Sequence, residues 1–341
     1  MSGSDVTREG VQGARPGRDA PVGASAGRRR CRRGRGRGEQ PMVPEARFSS
    51  YYGKPILNKP TWKALDIAGY LYLGGLAGAS SLLAAGGHAT GRTGLARAAK
   101  LGAAGAITLS LGALVHDLGR PARFVNMLRV FKPTSPMSMG SWLLAGYAPL
   151  TMAAAAADVV GRYRLVGAGA TAGAAVLGPA VATYTAVLLA DTAVPSWHEG
   201  YRELPFVFAG SAAGAAAGLA LACAPVAQMG PARRMAVLGA ALETAAFQRM
   251  KRGMGLSAEP FEQGRAHRLL RAAESLTAGG AALAACAGLR PGRALAVTAG
   301  AALLTGSAAL RFGVFHAGVA SAEDPKYTVV PQRERLRTGT G

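Results

Sequence analysis

From residue 65 onward the chain repeats one pattern, in which a long apolar run is followed by a short charged or proline-containing break. Eight such runs occur, and they lie at residues 65–87, 97–115, 140–158, 165–190, 204–228, 232–248, 268–289 and 293–316. Runs of about 15 to 25 residues are long enough to cross the hydrocarbon core of a bilayer as single helices. Five of them, the second to the fifth and the last, have no Asp or Glu in their central stretch. In water such helices would have no polar face. The pattern therefore predicts an all-α, polytopic integral membrane protein with about eight transmembrane helices in a bundle.

The Lys and Arg residues between the runs predict the orientation, because basic loops stay on the cytoplasmic side. With the N-terminus inside, the inner connections carry Arg120, Arg123, Arg129, Lys132, Arg202, Arg249, Lys251, Arg252, Arg265, Arg268 and Arg271. The outer loops carry fewer, namely Arg92, Arg97, Lys100, Arg162, Arg164, Arg233, Arg234, Arg290 and Arg293. Both termini are therefore predicted to be cytoplasmic, and the protein to lie in the cell (plasma) membrane.

The predicted organisation has four parts. A basic leader at 1–41 precedes a juxtamembrane segment at 42–64, the eight-helix membrane domain at 65–316 and a cytoplasmic tail at 317–341. The leader holds ten arginines among Gly, Pro and Ser. Such a segment buries too little apolar surface to offset its conformational entropy, so it is predicted to be disordered.

Two interpretations of the leader stay open, a nucleic-acid-binding arm and an upstream extension of the reading frame, and a third, a twin-arginine export signal, is not supported. A nucleic-acid-binding arm fits its arginines, and so does the net charge of +21, from 39 Lys+Arg against 18 Asp+Glu. A twin-arginine export signal would need an apolar segment directly after the basic residues, and the sequence has none there. An upstream extension of the reading frame would make Met42 the start of the native protein. The remaining basic residues lie between apolar runs, so no nucleic-acid partner is expected for the membrane domain.

Cysteines and histidines limit the redox groups that the chain can bind. The chain has three cysteines, Cys31, Cys223 and Cys286, and no two of them form a CxxC motif. This excludes a disulfide framework, a zinc knuckle and a cysteine-ligated iron–sulfur cluster. All histidines lie at run ends or in loops, namely His88, His116, His198, His267 and His316. Bis-histidine haem ligation needs two histidines that face each other from neighbouring helices. We therefore expect no haem, no iron–sulfur cluster and no bound metal in this chain.

Two clusters of polar residues close even-numbered runs and must therefore lie on the same side of the membrane. The second run ends in HDLGRPARF and the fourth in YTAVLLADTAVPSWHEGYRELPF. A quinone site needs an apolar slot reachable from lipid, a hydrogen-bonding group for each carbonyl and titratable groups for two protons. His116, Asp117, Tyr184 and His198 provide such groups. The sequence thus indicates a quinone site at this side.

A structural interpretation of the same clusters is also open. Asp117 with Arg120 is consistent with a capped and paired helix end, and Trp197 with Tyr201 is consistent with an aromatic belt at the membrane interface.

Three further carboxylates lie inside or at the start of the runs, namely Asp66, Glu243 and Glu274. A carboxylate that faces lipid is costly, so each is expected to face the bundle interior or a cavity. Together they are candidates for a proton path. The alternative is local ion pairing, of Glu243 with Arg249 and of Glu274 with Arg271.

Three segments of the chain resemble the NrfD-like family, the membrane subunits of polysulfide reductase and related molybdenum oxidoreductases. They are RFSSYYGKPILNKPTWKALDIAGYLYLGGLAGASSLL, DLGRPARF and YTAVLLADTAVPSWHEGYRELPFVFAGSAA, and the resemblance runs from about residue 47 to 320. It implies an eight-helix, quinone-reactive anchor without a cofactor of its own. Such a subunit passes electrons between menaquinone or ubiquinone and a four-cluster ferredoxin-like iron–sulfur subunit, which connects to a molybdopterin catalytic subunit.

The resemblance also implies site residues. Asp117, Arg120 and Tyr184 would lie near the quinone pocket, and we add His116 and His198 as neighbours that handle protons. Two other functions stay open: a polytopic transporter, and a purely structural membrane anchor. Inverted-repeat transporters have broken helices at matched positions, and no matched partner of Pro179 is found.

Overall fold

The computed structural model of the chain describes residues 5–7, 10–12, 56–57, 60, 62–118, 126–289 and 292–338. Eight long helices dominate the described residues: α1 (Ala64–Ala89), α2 (Thr93–Asp117), α3 (Pro136–Val160), α4 (Arg164–Ala190), α6 (Leu204–Cys223), α7 (Gly230–Gly253), α8 (Gly264–Leu289) and α9 (Arg293–Glu323). The shorter helices are α5 (Pro195–His198) and α10 (Lys326–Thr338), with 3₁₀ segments at Val226–Gln228 and Gly255–Glu262.

The predicted all-α, polytopic membrane fold is confirmed, and each predicted run corresponds to one long helix. Among the described residues, seven helices are long and apolar enough to cross a membrane. The eighth long helix, α7, does not meet that criterion, because Arg233 and Arg234 lie near its start, Glu243 at its middle, and Arg249 and Lys251 near its end.

Several predicted boundaries differ from the structure by four or more residues, and the ends of the fifth and last runs show the physical reason and the consequence. The fifth run is expected to reach residue 228, but α6 ends at Cys223 because Pro225 lacks the backbone N–H that a continued helix needs. The last run is expected to end at residue 316, but α9 continues to Glu323. The segment 317–341, predicted as a tail, therefore begins with two more turns of α9 and then forms α10.

The leader contains a short antiparallel pair of strands, β1 (Asp5–Thr7) and β2 (Gly10–Gln12), in which Val6 is opposite Val11. The expectation that the leader is disordered stays a prediction. The other residues of the leader, and most of the juxtamembrane segment 42–64, lie outside the described residues. The chain divides into two units, Met1–Arg47 and Phe48–Gly341, and the helices belong to the second.

Successive long helices run in opposite directions, so the bundle has two ends. We call the end at which α1, α3, α6 and α8 begin side A, and the opposite end side B. Contacts between distant residues show the arrangement. Near side A the start of α1 meets the end of α2 through Asp66 and His116, and near side B the start of α2 meets the end of α3 through Lys100 and Asp158. As expected, the ends of α2 and α4 lie on the same side.

Small residues allow the helix backbones to touch. A Cβ atom added to Gly78 of α1 would lie 2.3 Å from the carbonyl oxygen of Gly178 in α4. A Cβ atom added to Gly218 of α6 would lie 2.7 Å from the carbonyl oxygen of Gly300 in α9. In lipid, close van der Waals packing of this kind is a main source of helix association. These contacts hold the helices that position the polar groups described next.

Candidate functional site

At side A the first turn of α1 and the last turn of α2 bring Asp66 and His116 together. The Asp66 Oδ2 atom lies 3.0 Å from the His116 Nδ1 atom. The Asp66 side chain is 11% exposed, whereas the His116 side chain is 67% exposed. A buried acid in contact with an exposed imidazole can pass a proton between the surface and the bundle interior. The structure thus joins a residue predicted for the quinone site with one predicted for the proton path.

Tyr184 lies in α4, six residues before that helix ends. Its ring covers Gly140 of α3, where an added Cβ atom would lie 2.4 Å from the Tyr184 Cε2 atom. Its hydroxyl is buried and has no hydrogen-bond partner among the described residues. Buried tyrosine hydroxyls are normally hydrogen-bonded. The phenol is therefore free to bond to the carbonyl or hydroxyl of a ligand.

His198 ends the short helix α5 and is exposed at side A. Its Nδ1 atom lies 3.0 Å from the carbonyl oxygen of Ala190. Since a carbonyl oxygen only accepts, Nδ1 carries the hydrogen, and Nε2 of the neutral ring is left as an acceptor. The imidazole lines a cavity of about 430 Å³, together with Asp191 and with Tyr327 of α10.

The remaining predicted quinone residues fall at the end of α2. Asp117 is the last residue of that helix and is partly buried. Arg120 and Arg123 lie outside the described residues. The pairing of Asp117 with Arg120 therefore stays a prediction.

The aromatic-belt interpretation is wrong for Trp197. Its side chain is fully buried, its indole Nε1 donates to the Val314 carbonyl oxygen at 2.9 Å, and its ring stacks on Trp62 with 6.1 Å between ring centroids. The ring also fills the space beside Gly318. Tyr201 is 52% exposed, as a belt residue would be. Trp197 therefore locks α5 against α9, and this contact fixes the backbone that presents His198.

Glu243 faces the bundle interior, as expected. It lies in α7, is 4% exposed, and is within hydrogen-bonding range of the Ser211 and Thr277 hydroxyls from α6 and α8. Its charge also interacts with that of Arg311 in α9. The alternative pairing with Arg249 is wrong, because Arg249 Nε lies 3.4 Å from Glu203 Oε1 instead.

Arg311 is a buried charge that the sequence analysis missed. Its side chain is 0% exposed, its guanidinium carbon lies 3.6 Å from the centroid of the Phe208 ring, and Nη2 donates to the Phe208 carbonyl oxygen at 2.8 Å. Nε and Nη1 are buried and have no hydrogen-bond partner among the described residues. A signal was present, because Arg311 is the only Lys or Arg within residues 294–316 of the sequence.

Glu274 does not face the interior, so the expectation for it is wrong. Its side chain is 57% exposed, and Oε2 lies 4.0 Å from Arg271 Nη1. The alternative interpretation, in which Glu274 pairs locally with Arg271, is confirmed. Glu274 is therefore separated from the buried centre around Glu243.

No group of three or more His, Cys, Asp or Glu residues within the described part of the chain is arranged to hold a metal ion. The candidate site thus consists of hydrogen-bonding and proton-exchanging groups: the Asp66–His116 pair, the free phenol of Tyr184, the exposed His198, and the buried Glu243 and Arg311 further inside.

Comparison with known families gives one match. A family model described as "Polysulphide reductase, NrfD" matches residues 56–246, which is more than half of the chain. The matched stretch includes α1 to α6 and most of α7. It therefore contains Asp66, His116, Tyr184 and Glu243 but ends before Arg311. No curated protein matches the chain.

Proposed function

Because the chain belongs to the NrfD family of polysulphide reductase membrane proteins, we propose that it is the quinone-interacting anchor subunit of a molybdopterin/iron–sulfur oxidoreductase complex. In this role it exchanges electrons and protons between menaquinone or ubiquinone and a four-cluster iron–sulfur subunit. That subunit connects to the molybdopterin catalytic subunit. The observation that carries the proposal is the buried, unpartnered hydroxyl of Tyr184 among the described residues of the side A half.

The depth of Tyr184 suits a ligand that is dissolved in lipid. At a rise of 1.5 Å per residue, Tyr184 lies about 9 Å from the side A end of α4, and Gly140 lies about 6 Å from the start of α3. The phenol therefore sits inside the apolar layer but close to one surface. Gly140 leaves room for the tyrosine ring between α3 and α4. A quinone head group at this depth can accept a hydrogen bond from the phenol while its tail stays in lipid.

The Asp66–His116 pair supplies the proton exchange that quinone chemistry requires. Oxidation of a quinol releases two electrons and two protons, and reduction of a quinone takes up the same number. The pair lies at the same end of the bundle as Tyr184, and its imidazole is exposed while its carboxylate is buried. We assign His116 and Asp66 to proton transfer at side A, with Asp117, Arg120 and His198 as neighbours of the pocket.

Glu243 supports a deeper branch of the proton path. Gly75 of α1 lies nine residues after Asp66 on the same helix, and a Cβ atom added there would lie 3.1 Å from the Arg311 Nη2 atom, so the buried centre borders the helix that carries Asp66. The Ser211 and Thr277 hydroxyls beside Glu243 can relay protons. Glu274 is not part of this path, because it is exposed and paired with Arg271.

Side A is also where we expect the iron–sulfur partner to dock, since the proposed quinone pocket lies near that end. It is the side that the distribution of basic residues predicts to be cytoplasmic. The proposal therefore implies a cytoplasmic partner and cytoplasmic termini.

The test compares quinol-dependent electron transfer in the purified native complex and in a Tyr184→Phe variant. Phenylalanine keeps the ring packed on Gly140 and removes only the hydroxyl. Loss of one hydrogen bond worth about 1.4 kcal/mol in the reacting complex would lower kcat/KM about tenfold. Tyr163→Phe is the matched control, because Tyr163 is 73% exposed at side B and should leave the rate unchanged.

Two results would contradict the proposal in different ways. An unchanged rate in Tyr184→Phe, with the complex intact, would remove Tyr184 from the quinone site. Purification of the native protein without an iron–sulfur subunit would remove the complex itself and favour a structural anchor or a transporter.

A further inference from the structure

A cavity of about 570 Å³ opens at side B, at the end of the bundle opposite to Tyr184. The end of α1, the start of α2, the end of α3 and the start of α4 form its walls. None of its residues takes part in the quinone chemistry proposed above. We therefore consider separately which ligand this cavity could bind.

The charges that line this cavity favour an anion. Lys100 is only 5% exposed, and its Nζ atom lies 2.9 Å from the Asp158 Oδ1 atom. Arg97 Nε lies 3.8 Å from the second carboxylate oxygen of Asp158. Arg164 also lines the cavity, so its lining contains three cationic side chains and one carboxylate. The formal charge of the lining is therefore +2 when His88 is neutral. A neutral quinone head group would not compensate this charge.

The start of α4 adds to the positive potential. Arg164, the first residue of α4, lines the cavity together with Gly167 and Ala168. The preceding residue, Tyr163, has a left-handed backbone conformation with φ of 59° and makes no side-chain hydrogen bond to the first turn. The first-turn N–H groups of a helix carry a partial positive charge that attracts phosphate and carboxylate groups. Backbone and side chains thus favour the same kind of ligand.

An apolar rim beside the cavity indicates where that ligand comes from. Val160, Tyr163, Leu165 and Val166 belong to the turn between α3 and α4 and its flanks, and all four are at least 60% exposed. In a chain that spans a membrane, exposed apolar residues next to basic residues contact acyl chains near the head groups. A free anion would gain nothing from this rim. We propose that the side B cavity binds the phosphate head group of an anionic phospholipid, whose acyl chains lie along the rim.

The test titrates the full chain, purified in detergent and delipidated, with phosphatidylglycerol and follows bound lipid by native mass spectrometry. Each basic side chain near an anionic lipid contributes about fivefold in affinity. Arg164→Gln should therefore weaken phosphatidylglycerol binding about fivefold, and Arg97→Gln/Arg164→Gln about 25-fold. Arg234→Gln is the matched control, because Arg234 is an exposed arginine near side B that does not line the cavity.

Lipid and salt controls separate a lipid site from a free-anion site. We expect phosphatidylcholine, which has no net charge, to bind at least tenfold more weakly, and millimolar inorganic phosphate not to displace the lipid. Equal binding of the two lipids, or unchanged binding in the double variant, would overturn the proposal. Displacement by inorganic phosphate would overturn the lipid assignment. If the double variant loses its helical fold, the single variant Arg164→Gln tests the proposal, because this change breaks no ion pair among those described.

Discussion

Among the described residues, two cationic side chains are buried, and their polar groups are satisfied to different degrees. Lys100 lies in α2 with 5% exposure, bonds directly to Asp158 and borders the side B cavity. Arg311 lies in α9 with no exposure, bonds to one carbonyl oxygen and one aromatic ring, and leaves two nitrogens without a partner among the described residues.

The difference shows that burial alone does not identify a functional charge in a membrane protein. A long lysine side chain near a helix end can reach polar groups at the surface, and an ion pair there completes its bonding. A deeply buried guanidinium with unpaired N–H groups keeps a large desolvation cost that stability alone does not explain. The missing partners among the described residues therefore distinguish Arg311, whose charge interacts with that of Glu243, as the buried cation that packing alone does not satisfy.

The largest effect is expected for Arg311→Met. This change removes the cation whose charge interacts with Glu243 and leaves the buried carboxylate with only the Ser211 and Thr277 hydroxyls, so we expect a loss of about 3–5 kcal/mol of unfolding free energy. Denaturant unfolding of the purified chain in detergent measures it. The double variant Arg311→Met/Glu243→Gln should recover at least about 1 kcal/mol, since the two groups are coupled. Additive effects of the two single changes would show that Glu243 and Arg311 act independently.

A smaller effect is expected for Asp158→Asn. The change removes the charge that pairs with Lys100, but the Lys100 Nζ atom borders an open cavity where water can solvate it. We expect a loss of about 1–2 kcal/mol in the same unfolding experiment. The control Asp191→Asn alters an exposed carboxylate at a helix end and should change stability by less than about 0.5 kcal/mol. If Asp158→Asn lowered the unfolding free energy as much as Arg311→Met, Lys100 and Arg311 would not differ in how strongly they depend on their carboxylate partner.

The smallest effect on stability is expected for the exposed ion pair between Glu259 and Lys326. It is the reference against which the two buried cations are compared. Hydrogen bonds from Lys326 and Tyr327 lower the pKa of Glu259 in the 3₁₀ segment Gly255–Glu262. Because the folded pKa is lowered, the contact stabilises the attachment of α10 fully above about pH 4.5, the ordinary value for this carboxyl, and is lost as the pH falls further. Hydrogen exchange of α10 amides, corrected for intrinsic rates, should therefore quicken below that pH.

Glu259→Gln should remove this pH dependence while leaving the exchange of α6 amides unchanged. Persistence of the acid-induced change in the variant would assign it to another group.

The sequence predicted the helices well, because an apolar run of membrane length has one stable form in lipid. It misplaced the end of α9 because the run was taken to stop at His316, although the Ala-rich residues that follow continue the helix. It also assigned Lys100 to an outer loop, whereas the residue lies two turns inside α2.

The candidate site was predictable only in part. Tyr184 and His116 stood out by type and position, but Asp66 and His116 are 50 positions apart in the sequence, which hides their contact. Only the antiparallel packing of α1 and α2 shows it. That the Tyr184 hydroxyl has no hydrogen-bond partner in the described part of the chain likewise depends on how its ring packs over Gly140, which no pattern along one helix contains.

The position of Trp197 has a consequence for biosynthesis. Its indole N–H bonds to Val314, a residue 117 positions later in the chain. At a translation rate of about 5–20 residues per second, α5 waits roughly 6 to 23 s before its packing partner is made. The side A surface around His198 is thus completed among the last parts of the protein. A subunit that recognises this surface in its finished form can therefore join only after Val314 of α9 has been synthesised.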